Sequence, residues 1–254
     1  MIASLLALGT TLTFFSRLPV PSAFSQGRLV DDVWTVPLAG AIIALPSAAI
    51  LVIADALGAS HLIAAVLAVA LAIIITGALH EDGLADCADG FWGGRDVERR
   101  LTIMRDSRIG TYGVLALIIA VLLKVAIIEM AVQAGAWRAA GIVIASAAAT
   151  RAVALFPWVG LPPARADGLA ASIGRPTLSV FRRAILLALL TTILVVGWWA
   201  PIGAALACGA CAVAAKACAS LAERKIGGHT GDVIGATVVV ADLSYALIIT
   251  IWVV

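Results

Sequence analysis

The sequence predicts an all-α integral membrane protein, a polytopic helical bundle of about seven transmembrane helices with a further short helix at the N-terminus. Three observations carry this. Hydrophobic residues are 63% of the 254 and mean hydropathy is +1.10, whereas soluble domains hold about 45–50% apolar residues. The apolar residues form runs close to the ~20 residues that cross a bilayer. Charged residues, only 13% of the chain, are gathered in a few segments between those runs. A soluble domain is excluded by this composition.

Residues 1–15 are apolar and close at Arg17-Leu18-Pro19-Val20-Pro21. They read as a short helix that either lies in the interface or re-enters, and without a basic leader they do not read as a cleavable signal. The spanning runs are Val36–Leu57, His61–Leu79, Tyr112–Val132, Trp137–Val159, Ala184–Trp199, Ile202–Leu221 and Val233–Ile251. Pro37 marks a helix start, Pro46 and Pro157 predict kinks, and Pro201 separates the fifth run from the sixth. Cys87, Cys208, Cys211 and Cys218 make no disulfide framework and read as small hydrophobes. The chain is expected to be one membrane-embedded catalytic domain, residues 1–254.

Basic residues orient the bundle. With seven spans, Arg138 is the lone basic loop residue on one side, and the rest fall in loops 16–35, 80–111, 160–183 and 222–232 on the other. Those loops are therefore expected in the cytoplasm, where an enzyme with water-soluble substrates needs them. Lys124, Glu129, Arg151, Lys216 and Asp242 fall inside spans, where charge is costly and tends to pair or snorkel. Asp242 is a candidate partner for Arg151.

The centre of the chemistry is His80-Glu81-Asp82-Gly83-Leu84-Ala85-Asp86-Cys87-Ala88-Asp89-Gly90, with four carboxylates in nine residues. On a helix, Asp82, Asp86 and Asp89 stand at i, i+4 and i+7 on one face. Like charges this close repel unless something positive sits among them. Hard oxygen donors suit Mg²⁺, which takes one or two protein carboxylates and completes its shell with water and phosphate. Arg95, Arg99, Arg100, Arg105 and Arg108 follow at once, suited to gripping phosphate oxygens. Acids, metal and arginines together describe a site for a phosphate-bearing substrate; the plain alternative is a solvated charged loop. Arg105-Asp106-Ser107-Arg108-Ile109-Gly110 leads into the third span, and its helix entry offers N–H groups either to an anion or to an ordinary cap. Gly227-Gly228-His229-Thr230-Gly231-Asp232 precedes the last span, its glycines permitting a tight loop against a ligand and Thr230 or Asp232 capping the helix. His80 and His229 are weaker acid–base or ligand candidates.

Taken in order, Arg17-Leu18-Pro19-Val20-Pro21, Pro37-Leu38-Ala39-Gly40, His80 to Asp86, Met104 to Gly110 and Gly227 to Asp232 resemble the cobalamin synthase (adenosylcobinamide-GDP ribazoletransferase) family nearly end to end. Arg165-Ala166-Asp167-Gly168-Leu169 fits that family's Arg-x-x-Gly-Leu pattern, while Cys87 stands where the family often has Thr. The resemblance implies a Mg²⁺-dependent enzyme of the cytoplasmic (inner) membrane, its active site on the cytoplasmic face. It implies transfer of adenosylcobinamide phosphate from adenosylcobinamide-GDP to the 5′-hydroxyl of α-ribazole or of its 5′-phosphate, with GMP leaving. On this reading Asp82 and Asp86 hold Mg²⁺ and Glu81 or Asp89 completes the site or acts as general base. Arg105, Asp106, Ser107, Arg108, Arg165, Gly228, Thr230 and Asp232 bind substrate and phosphate. The expected partners are these small molecules and the lipid bilayer, with no nucleic acid and the oligomeric state left open. A CDP-alcohol phosphotransferase-like enzyme fits less well because its Ala-Arg pair and later Gly-x-x-x-Asp-x-x-x-Asp are missing. A secondary transporter has only Arg151 and Asp242 in its favour.

Overall fold

A computed structural model describes residues 2–165, 167–168 and 172–254; Ala166 and Leu169 of the predicted Arg-x-x-Gly-Leu pattern lie outside the described residues. Apart from short 3₁₀ and π turns, the described chain is built of α-helices: α1 (Ile2–Phe15), α2 (Leu29–Asp32), α3 (Val36–Ala56), α4 (His61–Thr76), α5 (Leu79–Gly93), α6 (Val97–Ile103), α7 (Thr111–Gln133), α8 (Ala136–Val153), α9 (Leu155–Gly160), α10 (Leu178–Thr192), α11 (Pro201–Ile226) and α12 (Gly231–Val253). Six segments are long and apolar enough to cross a membrane, and α4 with α5, bent by 87° at their junction, makes a seventh if the pair is counted as one broken span. The chain is thus a polytopic helical membrane bundle.

The prolines act where the backbone rule puts them. Pro37 occupies the first turn of α3, where no N–H is needed. Pro157 cannot donate to the carbonyl four residues earlier, and the helix is interrupted at Ala154 between α8 and α9. Pro46 lies inside α3, which continues through it. Small residues let the spans approach closely, as expected where lipid supplies no hydrophobic drive. A Cβ added to Gly40 of α3 would stand 2.3 Å from the Ala147 carbonyl oxygen of α8. The buried face of α8 is largely alanine, with Ala139, Ala145, Ala148 and Ala152 wholly covered, while α7 turns Leu115, Ile118, Ile119 and Leu122 outward.

The second predicted span is shorter than its hydropathy suggests. It ends at Thr76 rather than Leu79, because Gly77 (φ 65°) and Ala78 (φ 59°) are both left-handed. Sixteen residues rise ~24 Å, and after them α5 runs almost perpendicular to α4, so that α5 lies along one face of the bundle rather than through it. Gly77 accepts the left-handed state freely, but an alanine there costs roughly 1–2 kcal/mol.

Four loop regions meet at that same face. The Arg17 N–H donates to the Ile75 carbonyl (2.7 Å), Arg100 donates to the Lys225 carbonyl (2.9 Å), and residues 162–164 form a bridge with His229. At the other end Arg138 lies 5.8 Å from the centre of the Trp199 ring. The two-sided distribution of basic residues therefore corresponds to two ends of the folded bundle.

Candidate active site

Helix α5 carries the acids, and its packing divides them. Asp82 is exposed, Asp86 half-buried and Asp89 buried. Gly83 lies against the first turn of α12, where an added Cβ would stand 2.7 Å from the Asp232 carbonyl oxygen and 3.0 Å from its Cα. This close approach brings Asp232 into the field of Asp82 and Asp86. Burial pushes the Asp86 carboxyl up to about 7, and the charges of Asp232, Asp82 and Asp89 push the same way, offset in part by Arg165.

The start of α12 is fixed by local hydrogen bonds. Thr230 is the N-cap, its Oγ1 accepting from the Val233 N–H (3.3 Å) and donating to Asp232 Oδ2 (3.0 Å). Arg165 also donates to Asp232 Oδ2 (3.2 Å). Gly227 (φ 71°) ends α11, and a Cβ on Gly228 would stand 2.3 Å from the Pro162 carbonyl oxygen. What the glycine loop lies against is thus the 162–164 segment, joined by Ala164 N–H to His229 O and His229 N–H to Pro162 O, each 2.9 Å. Gly228 serves the site by bringing Arg165 beside Asp232. His229 Nδ1–H donates to the Pro162 carbonyl as well (3.0 Å), and burial lowers the pKa of its ring.

Asp89 does not face the other acids' cavity. Its Oδ2 accepts from the Gly110 N–H (2.7 Å) and its Oδ1 from the Gly113 N–H (2.9 Å). The anion at the entry to α7 is therefore a side chain of the protein, satisfying two of the helix's orphan donors and its dipole. Glu81 also leaves the cluster. It points into a separate cavity of about 110 Å³ inside the bundle, lined by Lys124, Arg151 and Asp242. There Asp242 pairs with Lys124 (2.5 Å) and accepts from Ser146; the expected partner Arg151 lines the same cavity and donates to the Ala147 carbonyl (3.1 Å). Lys124, Asp242 and Ser146 are thus joined to one another inside the bundle, while Glu81 Oε2 and Arg151 Nε face the cavity without partners.

The arginine loop is exposed from Arg105 to Arg108. Arg105 is ion-paired with Asp167, beside the segment that supplies Arg165. Arg108 donates twice to Asp106, at 3.1 and 2.8 Å, and holds that carboxyl at about 2. Ser107 lies exposed between them. Arg100 is spent on the carbonyls of Gly94, Arg95 and Lys225.

A cavity of about 270 Å³ opens between these parts, with Asp82, Arg165, Thr230 and Asp232 in its wall beside Phe15 and Trp158. Of the predicted residues the structure gathers Asp82, Asp86, Arg165, Thr230 and Asp232, sets Gly228 behind them, leaves Arg105, Asp106, Ser107 and Arg108 on a neighbouring loop, and takes Glu81 and Asp89 elsewhere. The aromatic wall was not legible in sequence, because Phe15 and Trp158 sit at the ends of apolar helices like any core residue. Among the described residues no three His, Cys, Asp or Glu side chains are grouped to enclose a metal by themselves.

The chain matches the model of the cobalamin-5-phosphate synthase family over residues 7–250. It is 45% identical over 251 residues to an adenosylcobinamide-GDP ribazoletransferase of Azorhizobium caulinodans, covering 96% of this chain and 95% of the relative. A relative of the same name from Xanthobacter autotrophicus is 47% identical over 248 residues, 94% of each chain, and one from Rhizobium meliloti is 45% identical over 239 residues, 89% of each. No solved structure matches the chain.

Proposed function

Because the chain belongs to the cobalamin-5-phosphate synthase family, we propose that it joins adenosylcobinamide-GDP to α-ribazole or its 5′-phosphate. The products are adenosylcobalamin or its 5′-phosphate, and GMP. The 5′-hydroxyl expected from the resemblance is not free in an acceptor that already carries phosphate there, so the attack is corrected to a ring hydroxyl of the ribose, and one site making both products uses that hydroxyl for both. A bond forms from this oxygen to the phosphorus borne by cobinamide, the bond from that phosphorus to the oxygen bridging to GMP breaks, and the hydroxyl proton goes to a carboxylate.

The observation that carries this reading is the convergence of Asp82, Arg165 and Asp232 on one cavity, with Asp86 behind them, its carboxyl pushed up to about 7 by burial and then by the neighbouring acids. Displacement at phosphorus needs positioning and charge neutralisation more than covalent help. Asp82 and Asp86 fit Mg²⁺ as hard oxygen donors, and a cation completing its shell with water and diphosphate needs no third protein carboxylate. When bound it supplies neutralising charge at the diphosphate. Arg165 is held at the cavity wall by Asp232 and offers its remaining donors to phosphate oxygens. Asp232 receives both its hydrogen bonds on Oδ2, so Oδ1 is the acceptor for the attacking hydroxyl's proton. Glu81 and Asp89 are held away from that position by their own surroundings. Arg105 and Arg108 reach phosphate by exchanging Asp167 and Asp106 for it. The site faces the cytoplasm at the inner membrane, with the lipid bilayer around the spans.

The test is release of GMP and of a corrinoid product by the purified full chain in detergent, with and without Mg²⁺. Wild type is expected to turn over only with the divalent cation, and Asp82→Ala and Asp86→Ala to lose activity while remaining folded. Full turnover in both variants would discard the assignment.

A further inference from the structure

We propose that the 270 Å³ cavity is the subsite for the acceptor's base. Its ligand is an apolar bicyclic aromatic, the alkylbenzimidazole of ribazole, and Phe15, Trp158, Ile173 and Ile234 set which base is accepted. The proposal rests on the transferase reading above and extends it to the choice of substrate.

Size is the first argument. Small-molecule cavities run about 300–1,000 Å³, and one of about 270 Å³ has room for a single nucleoside. A corrinoid is several times too large and must lie outside it.

Segregation of the wall is the second. Phe15 and Trp158 belong to one buried hydrophobic cluster, with Ile173 and Ile234 packed against it. The polar wall is the knot of Thr230, Arg165 and Asp232, with Asp82 nearby. A nucleoside has this same division, with its base on one side and ribose hydroxyls on the other. Seating the base on the aromatic side leaves the ribose facing the carboxylates that act on it.

The third argument chooses between the two bases the reaction contains. Guanine carries hydrogen-bonding groups on its edges, and burying them without partners is costly. Beside the aromatic wall the ring nitrogens without a partner are His80 Nε2 and His229 Nε2, fewer than the several donors and acceptors on guanine's edges. Trp158 Nε1–H is already given to the Gly174 carbonyl (2.8 Å), His229 Nδ1–H to the Pro162 carbonyl (3.0 Å), and Phe15 stacks in parallel on His80 with centroids 6.4 Å apart. An alkylbenzimidazole has one ring nitrogen to satisfy and otherwise presents carbon. One imidazole nitrogen suffices for that base and the apolar wall takes its carbon, so the cavity favours it over guanine.

The test uses the full chain in detergent and the half-buried aliphatic positions, which leave the aromatic core intact. Ile173→Ala and Ile234→Ala are expected to raise the KM for α-ribazole about 10-fold, the effect of removing methylenes from a hydrophobic pocket. They should also erode the preference for the dimethylated base over an unsubstituted benzimidazole riboside. The KM for adenosylcobinamide-GDP should stay within about twofold, since uniform binding of the donor is untouched. Ile173→Phe should exclude the dimethylated base and keep the unsubstituted one. Equilibrium binding of α-ribazole without donor is measured in parallel. Unchanged α-ribazole affinity in all three folded variants overturns the subsite, as does a rise in donor KM instead. If wild type releases no GMP, the transferase reading falls by itself, and the binding series still decides the subsite: no α-ribazole binding overturns it, and binding weakened by the alanines supports it.

Discussion

Asp89 gives the sharpest test of how the acids are divided. On sequence it stands with Asp82 and Asp86; in the structure it is 9% exposed and receives the Gly110 and Gly113 N–H groups at 2.7 and 2.9 Å. A Cβ on either glycine would fall within 2.5 Å of its carboxylate oxygens, so the α7 entry has room for this side chain only because both are glycine. Asp89→Asn keeps the shape, removes the charge and turns an NH₂ toward one of the two donors. A hydrogen bond to a charged group is worth ~1.5–3 kcal/mol, and a negative charge at a helix N-terminus adds ~0.3–1 kcal/mol. With one bond retained in weaker form, the expected loss is roughly 2–4 kcal/mol of stability. Denaturant unfolding of the full chain in detergent reads this, alongside the Mg²⁺ concentration for half-maximal GMP release. Stability should fall while the Mg²⁺ requirement of the remaining folded enzyme stays within a few-fold. Undiminished stability with a lost or greatly raised Mg²⁺ requirement refutes the capping argument and returns Asp89 to the metal.

Gly83→Ala inserts a methyl 2.7 Å from the Asp232 carbonyl oxygen; because backbone must then shift, and misplacements near 1 Å can cost ~100-fold in rate, kcat should drop at least tenfold with a far smaller loss in unfolding free energy, and wild-type kcat would refute the close approach. Asp242→Asn leaves Lys124 charged inside the bundle and should cost about 3–5 kcal/mol; Lys124→Met/Asp242→Asn should recover much of that in the same unfolding titration, and strictly additive losses would deny coupling across the 2.5 Å pair. The pH dependence has a definite sign. Asp86 is raised from 3.8 to about 7 by burial and neighbouring acids, so its neutral form is favoured in the folded state. The metal-free protein should lose stability as pH rises from about 4 to about 7 and change little from this source above. Asp86→Asn should flatten that slope, and an unaltered slope would refute the attribution.

The number and order of the spans are legible in the sequence because lipid imposes a single rule, apolar length, on every crossing helix. The pile-up of charge at one end follows from the same rule, since loops are where charge is cheap. What the sequence does not display is direction. Hydropathy runs unbroken from His61 to Leu79, and nothing in an Ile-Thr-Gly-Ala-Leu string announces that Ala78 takes a left-handed conformation and turns the chain through 87°. Helical spacing correctly puts Asp82, Asp86 and Asp89 on one face of α5, but a face is not a site. Neighbours decide which of its residues meet solvent, another acid, or a helix end, and those neighbours come from α7 and α12, far away in sequence. Asp242 illustrates the same limit, since the sequence suggests Arg151 as its partner and helix rotation brings Lys124 to it instead.

The bend also explains why the acids can be there at all. A helix crossing lipid cannot carry four carboxylates in nine residues, because each charge at mid-bilayer costs ~2.5–3.5 kcal/mol even on lenient scales. A helix lying across the bundle's end can, provided each acid finds its own relief. Asp89 obtains it from two backbone N–H groups and the α7 dipole, and Glu81, near the bend, faces the cavity that holds Arg151 and Lys124. Asp82 takes its relief from solvent. Asp86 is left with neither a partner of its own nor full exposure, and burial, with Asp232 and Asp82 adding to it, pushes its carboxyl up to about 7. Glu81 is buried with an unpartnered Oε2 as well, but Asp86 alone stands among Asp82 and Asp232 beside the cavity, so its place among those acids, where one cation would satisfy several of them, marks the functional end of the cluster more specifically than the density of acids does.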